Sequence, residues 1–234
     1  MKILFLLPPS EGKNSEWNPG KEVLSYEFEK PKNIAKNATQ KDLKCIGNRY
    51  EEGINLNIQH IDNTHDNVVN AMNRYTGVMF NAIDYAGMQD AGQEYFDEHF
   101  MIFSGMYGIV KPRDIIGNYK LPIETKGLVA YWKESITKTL NESQVDYIVN
   151  LLPLSYMKKI DFKALVPKLV NINFQTEKDG KIVKISHGVK KIKGEWIKDV
   201  CEKLWTNKNA DVFDIFGWEK IETNKSIEVN ILHK

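Results

Sequence analysis

The sequence predicts an α+β fold, in which a mixed β-sheet is covered by helices. Short apolar runs bounded by Pro, Gly or charged residues indicate buried strands. Longer segments with apolar residues three and four positions apart indicate amphipathic helices. The chain has 234 residues, of which 42% are hydrophobic and 27% charged, values typical of a globular protein that buries a core. We expect one domain over residues 1–234.

The first half of the chain begins with a strand. Residues 2–7 are almost entirely apolar and end at Pro8-Pro9, which is typical of a buried strand that ends in a turn. A polar stretch at 32–75, broken near Gly47 and Gly53, predicts a small helical subdomain. The predicted order is a strand at 2–7, a loop at 10–31, helices at 32–75, a strand or turn at 72–85, an acidic helix at 90–100 and a strand at 100–103.

The second half alternates helices with strands. Leu128, Trp132, Ile136 and Leu140 recur every four residues, which places them on one face of a helix. Residues 177–180, Glu-Lys-Asp-Gly, predict the turn of a hairpin. The predicted order is a helix at 128–140, a strand at 147–152, a hairpin with strands at 168–174 and 181–186, a long amphipathic helix at 189–204 and a final strand at 228–233.

The apolar runs are too short for a membrane protein. The N-terminal run spans only five residues, 3–7, before Pro8-Pro9, whereas a membrane helix needs about 20 apolar residues. It is also too short for a secretory signal. We expect a cytoplasmic protein without a membrane partner. Cys45 and Cys201 stand alone and predict reduced thiols, although neighbouring lysines leave a peroxide-sensing role open.

The histidines do not predict a metal site. His60 and His65 are five residues apart with Asp62 and Asp66 nearby. On a helix this spacing does not align two ligands on one face. We interpret the segment as a solvated polar helix and predict neither a metal nor a cofactor.

The stretch 101–124 has the strongest functional pattern. An apolar strand leads into Ser104, Gly105, Tyr107 and Gly108, and such a turn presents polar groups at a surface or cleft. The cations Lys111, Arg113 and Lys120 would bind phosphates. As an enzyme site, a Lys or Tyr would carry protons while Arg113 clamps an anion, but no general base is placed. In a purely structural role, Tyr107 lies in the core and Arg113 pairs with Asp114 or Glu124.

The loop Ser10-Glu11-Gly12-Lys13 offers a second anion contact. Backbone N–H groups and one ammonium are a phosphate-binding combination, yet the spacing of a P-loop is absent. A plain surface loop is the alternative. If this loop, with Ser10 and Lys13, and the motif 104–113, with Ser104, Tyr107, Lys111 and Arg113, converge on a deep pocket to which Tyr119 also belongs, the protein is an enzyme acting on a small anionic substrate. If the cations line an open groove, DNA binding is favoured.

Charge is concentrated late in the chain. Residues 158–198 hold eleven lysines and four acidic residues, a local balance of +7 in a chain of net charge +1. Such a basic face binds phosphates without reading sequence. Lys190, Lys191 and Lys193 are the predicted contacts, while Trp196 belongs to the apolar face of its helix.

Several of these motifs resemble the YaaA family, the peroxide stress proteins of bacteria. The signature is Ser104-Gly-Met-Tyr-Gly-Ile-Val-Lys-Pro-Arg-Asp-Ile-Ile116, followed by Tyr119-Lys120-Leu121. The start at 8–13, the helix at 128–140 with Tyr131-Trp132, the motif Asn150-Leu151-Leu152 with Ser155, Tyr156 and Lys158, and the stretch 187–194 are also similar to the family.

The resemblance implies a protein that binds double-stranded DNA without marked sequence preference. It also implies protection from oxidative DNA damage, in part by keeping free iron low. Residues 43–49, which include Lys44 and Arg49, would match a helix-hairpin-helix element, which puts N–H groups and a cation against phosphates. Gly47 is the only glycine there, and Glu51 and Glu52 would repel phosphate. Binding is thus favoured over catalysis, and the oligomeric state stays open.

Overall fold

The structure is a computed structural model that describes residues 2–16, 18–43, 49–62, 67–185, 187–205, 213, 220–222 and 226–233. The strands are β1 (Ile3–Leu7), β2 (Val68–Asn70), β3 (Phe100–Ser104), β4 (Gly108–Val110), β5 (Ile115–Gly117), β6 (Tyr147–Asn150), β7 (Lys168–Lys178), β8 (Lys181–Lys184), β9 (Lys220–Glu222) and β10 (Ser226–Leu232). The helices are α1 (Lys32–Lys36), α2 (Tyr50–Ile61), α3 (Ala71–Arg74), α4 (Val78–Ile83), α5 (Asp90–His99), α6 (Leu128–Glu142), α7 (Leu154–Met157) and α8 (Val189–Trp205).

The described residues form one mixed eight-stranded sheet and a separate two-stranded one. The large sheet has the order β4-β3-β1-β6-β7-β10-β9, and β8 pairs with the outer part of β7. Five neighbouring strands, β3, β1, β6, β7 and β10, run parallel. Their carboxyl ends therefore meet at one edge of the sheet. The small sheet pairs β2 with β5.

The central strands are apolar because both faces of the sheet are covered there. All five residues of β1 and all five of β3 are buried, as expected for inner parallel strands. Phe5 stacks on Phe100 with ring centroids 4.5 Å apart and meets Trp196 of α8 edge-on. Helix α8 thus covers the face from which Phe5 projects.

Helix α8 packs closely on α4 because Gly194 lies at their crossing. A Cβ atom at Gly194 would come within 2.4 Å of the Met79 carbonyl oxygen. The glycine therefore sets how near the two helices approach. This packing fixes the position of the first turns of α8, which carry Lys190 and Lys193.

The predicted α+β class is confirmed, and most long elements appear where periodicity placed them. The helices α5, α6 and α8, the strands β1, β3 and β6, and the β7–β8 hairpin all match their predictions within a few residues. Each is long enough, or apolar enough, for local pattern to decide its conformation.

Two predictions of secondary structure are wrong. Residues 68–70, predicted as helix, form β2, because the adjacent β-branched residues Val68 and Val69 pair with β5. Residues 72–85, predicted as strand or turn, form α3 and α4 in succession. Their apolar side chains Met79, Phe80 and Ile83 face α8 and the core.

The predicted helical subdomain contains α1 and α2. Residues 44–48, the centre of the predicted helix-hairpin-helix match and the position of Lys44, lie outside the described residues. No helix in the described part of the chain is long and apolar enough to cross a bilayer.

Candidate functional site

A cleft opens at the carboxyl edge of the parallel strands, beside β1. The chain places β3 on one side of β1 and β6 on the other, so the strand order reverses there. Crevices at such reversal points are where open α/β sheets bind ligands. The loop after β1 and the segment after β6, which contains Tyr156, both line this cleft. The topology alone therefore brings two sequence-distant loops together.

The cleft has a volume of about 440 Å³, within the usual range of small-ligand sites. One wall is the loop at residues 8–12 and another is the start of α4. Gly77 has φ 110°, and a Cβ atom there would lie 2.9 Å from the Ser10 hydroxyl oxygen. Glycine is therefore required for Ser10 to approach this wall. The charged residues lining the cleft and a smaller adjoining pocket are Glu11, Lys13, Lys120, Glu124 and Lys190.

Lys13 sits over a floor of aromatic rings. Its ammonium donates to the Ser10 carbonyl oxygen at 3.0 Å. The same nitrogen lies 4.4 Å from the centroid of Tyr119 and 5.4 Å from that of Tyr75. Cation–π contacts and a carbonyl orient an ammonium. Lys13 therefore faces the pocket that adjoins the cleft in a fixed position.

Lys120 reaches the same place from the signature segment. Its ammonium donates to the Glu11 carbonyl oxygen at 3.1 Å. Its backbone is held at both polar atoms by Asn57, which accepts from the Lys120 N–H at 2.8 Å and donates to its carbonyl at 3.0 Å. Helix α2, which carries Asn57, thus fixes the backbone of Lys120. The loop after β1 and the end of the signature are joined through this lysine.

Helix α8 and the β7–β8 hairpin supply cations from the opposite side. Lys190 is exposed and lines the cleft, while the Lys193 ammonium donates to the Leu151 carbonyl oxygen at 3.0 Å. Burial lowers the pKa of Lys193, and the positive charge of Lys184 lowers it further. Lys184 is itself within 3.5 Å of the Asn173 amide oxygen. A row of lysines therefore follows the carboxyl edge of the sheet from β1 towards β8. We call Lys13, Lys120, Lys190 and Lys193 the lysine row.

Lys159 lies beneath the cleft floor. It is fully buried, donates to the carbonyl oxygen of Ile123 and lies 5.5 Å from the ring centroid of Tyr156. Burial lowers its pKa to about 7, against the opposing effect of Glu124. Near neutral pH this lysine therefore exchanges between charged and neutral forms.

Below Lys13, three hydroxyls form a buried chain. The Tyr119 hydroxyl is 2.8 Å from that of Tyr75 and 2.7 Å from that of Ser104. The Ser104 oxygen also accepts from the N–H groups of Met106 and Tyr107. Burial raises the pKa of Tyr119 to about 12, so the chain carries no charge. Its geometry suits a rigid floor.

A second buried cluster lies next to this floor and consists of Glu22, Lys30, His60 and Tyr107. The Tyr107 hydroxyl is 2.5 Å from both Glu22 Oε1 and His60 Nε2 and accepts from the Gly117 N–H at 2.8 Å. The Lys30 ammonium pairs with Glu22 at 2.7 Å. Every charge in this cluster therefore has an opposite or hydrogen-bonded neighbour.

The pKa values follow from this arrangement. Burial would raise the pKa of Glu22. The hydrogen bonds and charges around the carboxyl group outweigh this effect and lower its pKa to about 2. Burial lowers the pKa of His60, against the attraction of Glu22. Near neutral pH the cluster thus contains the carboxylate of Glu22 and a neutral imidazole at His60.

The first half of the signature does not reach the cleft. Asp114 accepts from the N–H groups of Ser25 and Lys111, at 3.0 and 2.8 Å, and from the Ser25 hydroxyl. Arg113 is exposed and pairs with Asp97 of α5, not with Asp114 or Glu124. Lys111 lies 6.0 Å from the ring centroid of Tyr26. The first half of the signature therefore holds the loop around Ser25 in place, whereas Lys120 lines the pocket that adjoins the cleft.

The structure therefore brings together Ser10, Lys13, Lys120, Lys190 and Lys193 among the predicted residues. Ser104, Tyr107 and Tyr119 are buried below the cleft, so they support it and do not line it. Of the remaining predicted contacts, Lys191 is 3.5 Å from Glu195 and Arg49 is 3.7 Å from Glu52, both on exposed helix surfaces.

Local sequence patterns did not place several residues of the site. The interpretation of His60 as a solvated residue is wrong, because it is buried and hydrogen-bonded to Tyr107. The spacing of Gly53, Asn57 and His60 on α2 is the signal that marks its buried face. Tyr156 lines the cleft because β6 lies beside β1, which no local pattern reveals. In the described part of the chain, no group of three His, Cys, Asp or Glu side chains is placed to hold a metal.

Comparison with known proteins identifies relatives that match more than half of this chain. The chain is 31% identical over 172 residues to a UPF0246 protein of Psychrobacter cryohalolentis, covering 68% of this chain and 65% of the relative. It is 29% identical over 168 residues to one of Colwellia psychrerythraea, covering 67% and 65%. A UPF0246 protein of Rickettsia conorii is 30% identical over 138 residues, or 56% of each chain.

These matches span somewhat less than two thirds of the length of the relatives. A family model described as peroxide stress protein YaaA matches residues 1–222. That range includes every residue of the cleft and of the two buried clusters beneath it. The chain therefore belongs to the YaaA family of peroxide stress proteins.

Proposed function

We propose that this protein binds double-stranded DNA through the phosphate backbone, at the lysine row along the carboxyl edge of its sheet. The observation that carries the proposal is the convergence of lysines from separate chain segments. Lys13 follows β1, Lys120 follows β5, and Lys190 and Lys193 begin α8. Lysines arranged in this way neutralise phosphates without reading base sequence.

The way these ammonium groups are held supports anion binding. Lys13, Lys120 and Lys193 each donate to a main-chain carbonyl oxygen. A carbonyl fixes the direction of an ammonium, so these three side chains are oriented along the edge of the sheet. The two lining carboxylates, Glu11 and Glu124, are both exposed and can turn towards water. A phosphate would therefore meet ammonium groups that are already oriented.

The family description supports a role in surviving peroxide. We propose that the bound protein limits oxidative damage to DNA, including damage that depends on free iron. Cells that lack the protein are expected to accumulate more strand breaks after a peroxide pulse. Complementation by the wild type but not by the Lys190→Gln, Lys193→Gln variant would tie protection to the lysine row.

The direct test is fluorescence anisotropy with a labelled duplex at several salt concentrations. The logarithm of the association constant should fall linearly with the logarithm of salt concentration. The double variant Lys190→Gln, Lys193→Gln should weaken binding roughly 10- to 100-fold near 0.1 M salt and reduce the slope by about 2. A matched control is Lys133→Gln, Lys138→Gln on α6, whose affinity should equal that of the wild type. Unchanged affinity in the first variant would overturn the assignment.

A second candidate function rests on the cleft itself. Its 440 Å³ would enclose a small anion between Ser10, Tyr156 and Lys190, as an enzyme acting on an anionic substrate requires. Small phosphate esters and dicarboxylates should then raise the melting temperature of the protein. If the wild type does not bind duplex DNA at low salt but is stabilised by such a compound, the enzyme function replaces DNA binding as the proposal.

A further inference from the structure

The β7–β8 hairpin projects from the same edge of the sheet as the cleft. Strand β6 stops pairing with β7 at Asn171, and β10 stops at Gln175. Strand β7 continues to Lys178, about 23 Å beyond the end of β6 at 3.3 Å per residue. A tight turn at Asp179 and Gly180, both with positive φ, returns the chain into β8. The tip is thus a two-stranded ribbon without neighbours among the described strands.

The ribbon exposes residues that contribute little to the core. All four residues of β8 are exposed, including Ile182 at 54% and Val183 at 38%. An isolated two-stranded hairpin is marginally stable in water. Apolar side chains at such a position gain more from a partner than from their own fold.

The charges on the ribbon indicate an anionic partner. Lys178 and Lys181 are directly paired across the strands, and like charges placed opposite each other repel. An anion between them would relieve this repulsion. The alternation along β7 puts Lys178 on the same face as Phe174, whose ring meets Trp196 of α8. The lysine pair therefore lies on the α8 side, the side on which Lys190 lines the cleft.

We infer that the β7–β8 ribbon enters the major groove of the duplex whose backbone lies on the lysine row. This inference rests on the proposed function and assigns a groove to it. The major groove is about 12 Å wide and admits a two-stranded ribbon, whereas the minor groove is about half as wide. Lys178 and Lys181 then face the phosphates that border the groove.

The remaining tip residues fit base edges. Val183, which lies on the same face as Lys178 and Lys181, presents methyl groups of the kind that pack against the thymine methyl in the major groove, and Ile182 lies on the opposite face beside Glu177. Glu177 and Asp179 are exposed at the tip. On the surface of the duplex they would repel phosphates, but inside the groove they accept from cytosine amino groups. Insertion of the tip accounts for lysines and carboxylates on one ribbon.

The test uses two duplexes of the same sequence and the full-length protein. One carries glucosylated hydroxymethylcytosines, which fill the major groove and leave the phosphate charge unchanged. The wild type should bind the glucosylated duplex at least tenfold more weakly than the plain one. The variant Lys178→Gln, Lys181→Gln should bind the plain duplex more weakly, lose about 2 from its salt slope and discriminate less between the duplexes. Lys133→Gln, Lys138→Gln is again the control.

The outcomes separate this inference from the proposed function. If the wild type binds both duplexes equally, the ribbon does not enter the major groove, and phosphate binding by the lysine row stands. If the ribbon variant matches the wild type while Lys190→Gln, Lys193→Gln is weakened, the inference is again overturned alone. If the wild type binds neither duplex at low salt, the proposed function fails and the inference fails with it. Thermal melts of the ribbon and control variants, expected within about 2 °C of the wild type because Lys178, Lys181, Lys133 and Lys138 are exposed, exclude unfolding as the cause.

Discussion

Two lysine-containing regions lie against each other in this protein and are built differently. In the cleft, Lys13 and Lys120 donate to main-chain carbonyls. In the buried cluster beside it, Lys30 pairs with the carboxylate of Glu22 at 2.7 Å. The Tyr119 ring links them, since it lies under Lys13 and meets Tyr107 edge-on with centroids 5.5 Å apart. Our proposal assigns the lysines of the cleft to anion binding and Lys30 to the stability of the fold.

The difference teaches how to separate binding charges from structural ones. A carboxylate partner neutralises an ammonium and makes its removal a matter of stability. A carbonyl partner fixes the direction of an ammonium, which our proposal takes to favour the binding of a phosphate. Mutations in the buried cluster should therefore change the free energy of unfolding, and mutations in the cleft should change affinity for anions.

The largest effect is expected from Glu22→Ala. It leaves the half-buried Lys30 and the buried His60 and Tyr107 without their carboxylate, and the cost of breaking a fully buried ion pair, about 3–5 kcal/mol, is the upper limit. Urea denaturation at pH 7 measures this loss, and duplex affinity below the melting temperature should be unchanged. Glu27→Ala, an exposed glutamate on the same loop, is the control. A loss below about 1 kcal/mol would show that the cluster does not stabilise the fold.

A smaller, pH-dependent effect on stability is expected at Lys159, the buried lysine beneath the cleft. Its pKa is about 7 in the folded protein and near 10.4 when unfolded. Between these values the unfolded chain binds more protons, so stability rises with pH. Below pH 7 both forms are protonated and the full penalty of the buried charge remains.

Lys159→Met removes this titration. As the pH rises from 7 to 10, the free energy of unfolding of the wild type should increase relative to that of the variant. The expected increase is up to about 1.4 kcal/mol for each pH unit. Urea denaturation of both proteins at unit steps of pH from 6 to 10 measures the difference. Parallel pH curves would mean that Lys159 keeps an ordinary pKa.

The smallest effect is expected at Arg113, which has a carboxylate partner but is exposed. Its side chain is 70% exposed and pairs with Asp97, and exposed pairs contribute about 0–1 kcal/mol. Arg113→Gln should cost less than about 1 kcal/mol of stability and change duplex affinity less than twofold. A tenfold loss of affinity in the anisotropy titration would extend the binding surface to the first half of the signature.

Local pattern was sufficient for the long elements and insufficient for the short ones. The four-residue spacing from Leu128 to Leu140 and the turn at residues 177–180 predicted α6 and the β7–β8 hairpin. Residues 68–70 were mistaken for helix because three residues carry no measurable period, and pairing with β5 decides their conformation. His60 was mistaken for a solvated residue because its burial depends on Tyr107 and Glu22, which are distant in sequence.

The sequence by itself determined the α+β class, the family and the kind of residue at the site. Apolar periodicity and local turn chemistry act over a few residues, and a motif such as 104–116 identifies relatives directly. Only the tertiary structure decided which lysines meet. The order of parallel strands, with β3 and β6 on either side of β1, brings Lys13, Lys120 and Lys190 together and leaves Arg113 on another surface. That order arises from packing between distant segments, so no local pattern contains it.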